Sequence, residues 1–253
     1  MEKKEYEIMF MAENTFWWYK ALHNLVIDYV KKKYKTKGEK LIIFDAGCGT
    51  GRLMKLLEPF GVVEGCDISK EAISFCSDRG LKKVLLEDLG QMVLPSEKYD
   101  VISSIDVLYH LKVKDDKEIV NKLVNSLKRG GLLILNLPAF NTLRSKHDLA
   151  VHSKKRYMKK DIINLIENLD VSIEKLSYRV GFLFFPILIV RSWQKLFLSE
   201  DKNINYNSDI KKLPKIVNSF LLFLTKFEQF IFFKTKFLNL PIGASVFAVI
   251  RKK

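Results

Sequence analysis

The 253-residue chain carries 43 Lys and Arg against 29 Asp and Glu, a net charge of +14, with 48% hydrophobic residues and three cysteines. That hydrophobic share excludes a disordered chain, and the length suffices for one main domain with a substantial core. Cys48, Cys66 and Cys76 form no CxxC pair and have no histidine at ligand spacing, so they read as buried free thiols and no metal site is expected. The charged N-terminus lacks the apolar core of a signal peptide, which gives a cytoplasmic expectation. The first legible element follows: Phe16-Trp17-Trp18-Tyr19, then Leu22, Leu25, Val26, Tyr29 and Val30 at helical spacing. Residues 1–40 read either as core packing or as an aromatic and helical lid. A cover of bulky rings, Trp17 and Tyr19 foremost, would exclude water and favour a cation beneath it.

Next comes the apolar run Leu41–Phe44, then Asp45-Ala46-Gly47-Cys48-Gly49-Thr50-Gly51, then a helical pattern from Arg52 to Glu58. A strand, a tight glycine turn and a helix N-terminus build a nucleotide-sized pocket with backbone N–H groups aimed at the ligand. The spacing is GxGxG rather than GxGxxG, and an acid precedes the first glycine where no phosphate-binding lysine follows the last. A carboxylate there repels phosphate and suits a cation. The ligand expected is therefore a positively charged nucleoside such as S-adenosylmethionine.

Further along, Val62–Asp67 reads as a second strand ending in an acid 16 residues beyond Gly51, and Lys83–Asp88 as a third strand with a second acid at its end. Tyr99–His110 gives a fourth strand entering a loop. Leu127–Asn136 gives a helix end, a Gly130-Gly131 turn and a fifth strand. Strands alternating with helical patterns argue for a parallel sheet with right-handed crossovers, with every acid and glycine singled out at a carboxyl end.

These motifs together resemble class I S-adenosylmethionine-dependent methyltransferases. The resemblance implies an α/β, Rossmann-like, doubly wound fold: a mostly parallel seven-stranded sheet whose last strand is antiparallel. It implies S-adenosylmethionine as cofactor, held by Asp45, Gly47, Cys48, Gly49, Gly51, Asp67, Ile68, Asp88, Leu89 and Ser104. Asp67 would accept from the ribose hydroxyls and Asp88 would sit beside the adenine amino group. In that family the segment before the first strand often covers the cofactor, which favours the lid reading of residues 1–40.

After the fifth strand the chain reads Lys146-His147-Asp148 and then His152-Ser153-Lys154-Lys155-Arg156-Tyr157. With the early aromatic cluster, this resembles bacterial methyltransferases of surface-polysaccharide and glycolipid biosynthesis. The sequence departs from their pattern at Leu22-His23, where an arginine pair is usual, and at Ser153, where a histidine is. A hydroxyl acceptor must lose a proton, and the candidate bases are His147 and His152, then His110. His147 with Asp148 reads equally as a helix cap, and His110 as packing. Arg156, Tyr157 and Trp17 are the candidate acceptor contacts. Lys154, Lys155 and Arg156 would clamp an anionic acceptor or form a solvated face.

Residues 179–253 hold 13 Lys and Arg against 4 Asp and Glu and two apolar runs, Phe182–Val190 and Ile216–Phe233. Pro186 interrupts the first and Lys226 and Glu228 the second, so neither reads as a bilayer span. Phe220, Phe223, Leu224, Phe227, Phe230 and Ile231 recur at helical spacing. That amphipathic helix packs on the sheet or a partner, or lies in a membrane interface with Lys211, Lys212, Lys215, Lys234 and Lys236 near anionic lipid. Val171–Leu176 reads as a sixth strand and Ala244–Arg251 as a last one, with about 65 residues between them where the family has a short turn. Four segments follow: a lid (1–40), the cofactor-binding core (41–178), an apolar basic helical insertion (179–240) and the closing strand (241–253). Saccharide or lipid-linked saccharide O-methylation is the leading expectation, and an isoprenoid lipid or quinone precursor the alternative. A nucleic-acid modifier or a non-catalytic cofactor binder is less favoured, because the basic residues mix with apolar stretches and not with a reader motif.

Overall fold

The computed structural model describes residues 2–34, 40–197, 213–233 and 238–253, and of Lys146 and residues 194–197 the backbone alone. In chain order its helices and strands are α1 (Lys3–Ala12), α2 (Trp17–Tyr34), β1 (Leu41–Ala46), α3 (Arg52–Leu57), β2 (Gly61–Asp67), α4 (Lys70–Asp78), β3 (Val84–Leu86) and β4 (Tyr99–Ile105). Then follow α5 (Asp116–Ser126), β5 (Leu127–Pro138), α6 (Lys146–Ala150), α7 (Lys159–Leu165), β6 (Val171–Arg179), α8 (Phe184–Phe197), α9 (Lys215–Phe233) and β7 (Ser245–Lys252).

The seven strands form one sheet in the order β3-β2-β1-β4-β5-β7-β6. Strands β1 to β5 pair in parallel, and β7 runs antiparallel to both neighbours. Alternation along each strand sends side chains to two separate cores, as a sheet covered on both faces requires. Phe44, Ile102, Leu133 and Leu135 face α5 and α7, whereas Ile43, Val101, Leu132 and Ile134 face α2 and α3. Strand order reverses between β1 and β4, so their carboxyl ends open a crevice at the switch point.

Several strand bounds shift by one to three residues from the sequence reading, β3 ending at Leu86 and β6 running on to Arg179, and three differences bear on the site. Strand β4 stops at Ile105, because Asp106 takes a positive φ of 56° and turns the chain into a loop. Strand β5 begins at Leu127, and the Gly-Gly stretch is an irregularity within its pairing to β4, with Gly130 at φ 78°. The two N-terminal helices pack differently: Met9 of α1 lies against the glycine turn, whereas Leu22, Leu25, Val26 and Val30 of α2 are buried against the sheet. Helices α8 and α9 lie between β6 and β7, where the insertion was expected. Of the lysines proposed to face lipid, Lys211, Lys212, Lys234 and Lys236 lie outside the described residues.

Candidate active site

A cavity of about 900 Å³ occupies the carboxyl edge of the sheet at the switch point. Its floor is the glycine turn. Gly47 and Cys48 both donate their N–H to the Cys66 carbonyl at 2.9 Å, locking the turn onto the end of β2. Gly47 has φ 80°, and a Cβ there would come within 2.4 Å of a Val107 methyl. A Cβ on Gly49 would meet the Met9 methyl at 3.0 Å. The turn is thus compressed between the β4 loop and the N-terminal helix, with bare backbone left along the cavity.

Asp45 and Asp67 flank this floor. Asp45 accepts from Ser103 Oγ at 2.7 Å, and burial pushes its carboxyl up to about 7. Asp67 accepts from Gly49 N at 2.9 Å and Ser69 N at 3.0 Å, and burial raises its carboxyl as well. Ile68, Asp88 and Leu89 line the same end. Asp45 beside the bare glycine backbone, the Asp67 carboxylate and apolar Ile68 and Leu89 suit the cationic, ribose and adenine portions of S-adenosylmethionine in turn.

Two of the residues expected to hold that group are elsewhere. Gly51 does not line the cavity; at φ 77° it is the N-cap of α3, packed against Cys76 and Leu81. Ser104 is fully buried in β4 because alternation turns it away from the cavity, and its hydroxyl has no hydrogen-bond partner among the described residues. Cys48 and Cys76 are free thiols 3.8 Å apart.

The cover is a latch more than an aromatic plate. Glu13, just past α1, accepts from Thr50 Oγ1 at 2.6 Å and pairs with the Arg79 guanidinium, which also donates from Nε to the Thr50 carbonyl at 2.8 Å. Phe10 stacks on Phe75 and lies under Arg79. These contacts hold Tyr6 and Met9 against the cavity, beside Trp17 and Tyr19.

On the acceptor side, His110, His147 and His152 all line the cavity. His110 Nδ1 lies 2.6 Å from the Val151 carbonyl, which only accepts, so Nδ1 carries the hydrogen and Nε2 keeps its lone pair. Burial pulls that imidazole down to about 4, keeping it neutral. His147 sits in the first turn of α6 with Nδ1 buried and without a partner among the described residues. His152, at φ 53°, places Nε2 2.8 Å from Glu2 Oε1 at the surface.

The clamp residues do other work. Arg156 reaches the cavity, but Nε and Nη2 bond both oxygens of Asp148 and Nη1 bonds the Ala139 carbonyl, so its fork is not open to an anionic acceptor as expected. Tyr157 is fully buried, with its hydroxyl on the Leu108 carbonyl and Asp116; it is a core residue and not an acceptor contact. Lys154 and Lys155 tie to the Val113 carbonyl and Asp116. Trp17 does line the cavity, edge-on to Trp18.

Four residues escaped the sequence reading. Asp106, at the end of β4, lines the cavity, bonds Asn136, and is pushed up to about 6 by burial. The rule that picked out Asp67 and Asp88, an acid at a strand's carboxyl end, would have found it. His23 lines the inner wall and is held down to about 3, first by burial. Arg179 is fully buried under the Trp18 ring at 4.9 Å, among the charges of Asp106 and Glu228, and its guanidinium finds no hydrogen-bond partner among the described residues. Glu228 of α9 accepts from the backbone N–H groups of Val180 and Gly181 at 2.6 and 2.8 Å. No spacing joins Arg179 to Glu228 in the sequence.

Comparison with known proteins agrees with this geometry. Residues 44–135 match the family model described as a methyltransferase domain. A tRNA (carboxymethyluridine(34)-5-O)-methyltransferase of Arabidopsis thaliana is 37% identical over 97 residues, 38% of this chain and 24% of that relative. The chain thus spans about a quarter of that relative's length. Among solved structures, a SAM-dependent methyltransferase from Thermotoga maritima superposes with a TM-score of 0.56 at 16% identity, covering 99% of this chain and 95% of that one. Another, from Mesorhizobium loti, gives 0.53 at 16%, covering 84% and 91%. The fold is the one these SAM-dependent methyltransferase structures share, and the cradle of Asp45, Gly47, Gly49 and Asp67 at its switch point fits S-adenosylmethionine.

Proposed function

We propose that the chain is the enzyme that transfers a methyl group from S-adenosylmethionine to a hydroxyl of a saccharide or lipid-linked saccharide. The observation that carries this reading is the continuity of one cavity from the acidic glycine cradle to a wall bearing His110, His147 and His152. The bound cofactor supplies an electrophilic methyl group. The protein's own residues position the acceptor, exclude water and take the proton. A neutral imidazole whose Nε2 keeps its lone pair, as in His110, accepts a hydroxyl proton, and His147 lines the same cavity. Positioning supplies much of the remaining rate in a displacement of this kind. The α1 latch keeps water out, and Leu143, Leu183 and Ile187 leave an apolar flank beside the histidines. That mixture suits a hydroxylated head joined to an apolar tail. An isoprenoid or quinone precursor is served by the same flank.

A second reading, a nucleic-acid acceptor, is favoured by the likeness to the Arabidopsis tRNA methyltransferase and by the positive charge. The family match ends at residue 135, ahead of α6 and the insertion, so it bears on the cofactor half. Methyl-labelled S-adenosylmethionine offered with delipidated glycans, polar lipid extract and tRNA separates the readings. Label in acid-cleavable lipid-linked saccharide is expected. Label in tRNA, or in none of the three, overturns the proposal.

A further inference from the structure

Helix α9 is built inside out. Its polar residues face the protein: Thr225, Glu228 and Gln229 are buried, and Gln229 Nε2 donates to the Ala21 carbonyl at 2.9 Å. Asn218 accepts from Trp17 N and donates to the Thr15 carbonyl, both at 2.9 Å. On the opposite side Ile216, Phe220, Phe223 and Phe227 recur every three to four residues, each 55 to 85% exposed. An ordinary surface helix has the reverse arrangement. Helix α8 shares the buried cluster around Trp17, Phe184 and Leu222 and likewise exposes Phe185, Ile189 and Val190. Two helices that share one buried cluster and each expose an apolar stripe mark an interaction site.

We infer that the outer faces of α8 and α9 seat the enzyme on an anionic lipid surface. The inference rests on the proposed function only for its purpose, which is to present a lipid-linked acceptor. Charge is the argument for lipid as the occupant: Lys215 and Lys226 fall along one flank of the α9 stripe, where amphipathic cations reach headgroups, on a chain of net charge +14. By length and composition α9 is apolar enough to cross a membrane, with a mean hydropathy of 1.4. Its bonds to Ala21, Thr15, Trp17, Val180 and Gly181 hold its other side to the domain, so it lies on the surface and does not span it. Leu183, Ile187 and Arg191, in and just before α8, also line the cavity. The seated face therefore adjoins the acceptor wall, and a tail can stay in lipid while its head enters.

The test is co-sedimentation of the full chain with vesicles of phosphatidylcholine alone or with phosphatidylglycerol added. Retention on the anionic vesicles is expected, falling as salt rises. The variant F223S/F227S, which touches neither the core nor the cavity, should weaken retention by roughly tenfold or more while keeping the wild-type melting temperature. No retention, or retention that the variant leaves unchanged, overturns the inference. So does a wild-type dimer that the variant splits without any vesicle binding, because a second copy then covers the face. Calorimetry with S-adenosylhomocysteine on the same sample separates this from the catalytic reading: cofactor uptake without vesicle retention defeats the seating alone, and retention without uptake defeats the activity alone.

Discussion

Arg156 and Asp148 are joined by two parallel hydrogen bonds, Nε to Oδ1 at 2.8 Å and Nη2 to Oδ2 at 3.0 Å, with the Asp148 side chain only 3% exposed. The same carboxylate accepts from Ser145 N at 2.8 Å and so caps α6. One buried side chain thereby fixes the first turn of the helix that carries His147 and pins it to the strand-like segment that carries Arg156. Although burial alone would raise it, the Arg156 guanidinium holds the Asp148 carboxyl below the usual carboxylate range.

Removing the carboxylate strands a buried guanidinium and uncaps α6. Asp148→Ala is expected to cost about 3–5 kcal/mol in urea unfolding. A change in the unfolding midpoint under about 1 kcal/mol would show that the pair is dispensable to the fold.

The glycine cradle makes a sharper demand. At φ 80°, with Val107 only 2.4 Å from the place of a Cβ, Gly47→Ala strains the backbone and pushes the β4 loop out of register with Asp106 and Tyr109. The expected result is a stability loss of about 1–3 kcal/mol and a rise of at least about tenfold in the Kd for S-adenosylhomocysteine. Gly80→Ala serves as the comparison: it shares a positive φ of 74° but has open space around it and lies away from the cavity, so its Kd should not move.

Asp45 couples stability and cofactor binding to pH with opposite signs. Its folded-state value of about 7 lies above the ordinary value, so the folded protein holds a proton that the unfolded chain releases. Its contribution to stability is full in acid and is lost as pH rises from about 4 through about 7. Subtracting Asp45→Asn, which does not titrate, removes the contributions of His23 and His110, whose lowered values act in the other direction. The variant's stability relative to wild type should therefore climb over that window and level off above it, as thermal melts at several pH values would show. Binding of a cationic donor favours the ionised carboxylate, so wild-type affinity should rise across the same window and that of Asp45→Asn rise less, through Asp67 and Asp106 alone.

The strands and the cradle were legible in the sequence, and the facing of the helices was not. Continuous apolar runs revealed the strands because a sheet covered on both faces buries successive residues, as at Ile43–Phe44 and Leu132–Leu135. The cradle was legible because backbone curvature needs glycine at Gly47 and Gly49. The facing of α9 was not: a periodic stripe shows that a helix is two-sided but not which side meets the protein, and that was decided by Gln229 reaching Ala21, 208 residues away. The engagement of Arg156 was hidden for a similar reason. A run of basic residues resembles an open clamp until the carboxylate that fills it is placed.

The histidines make the last prediction. All three line the cavity, but His152 is about two-fifths exposed with Nε2 turned to Glu2, whereas Nδ1 of His147 is buried and Nδ1 of His110 is bonded to the Val151 carbonyl. A general base contributes about 10²–10⁴ in rate. With the true acceptor, His147→Gln or His110→Gln should lower kcat by about 10² or more, while His152→Gln changes it by less than about threefold. The Kd for S-adenosylhomocysteine should hold in all three variants, because none of these side chains belongs to the glycine cradle. A variant that loses kcat and cofactor binding together would report damage to the fold and not loss of a base. Equal activity in His110→Gln and His147→Gln would assign the proton to another group, and Asp106, pushed up to about 6 and lining the same cavity, would be the next carboxylate to replace.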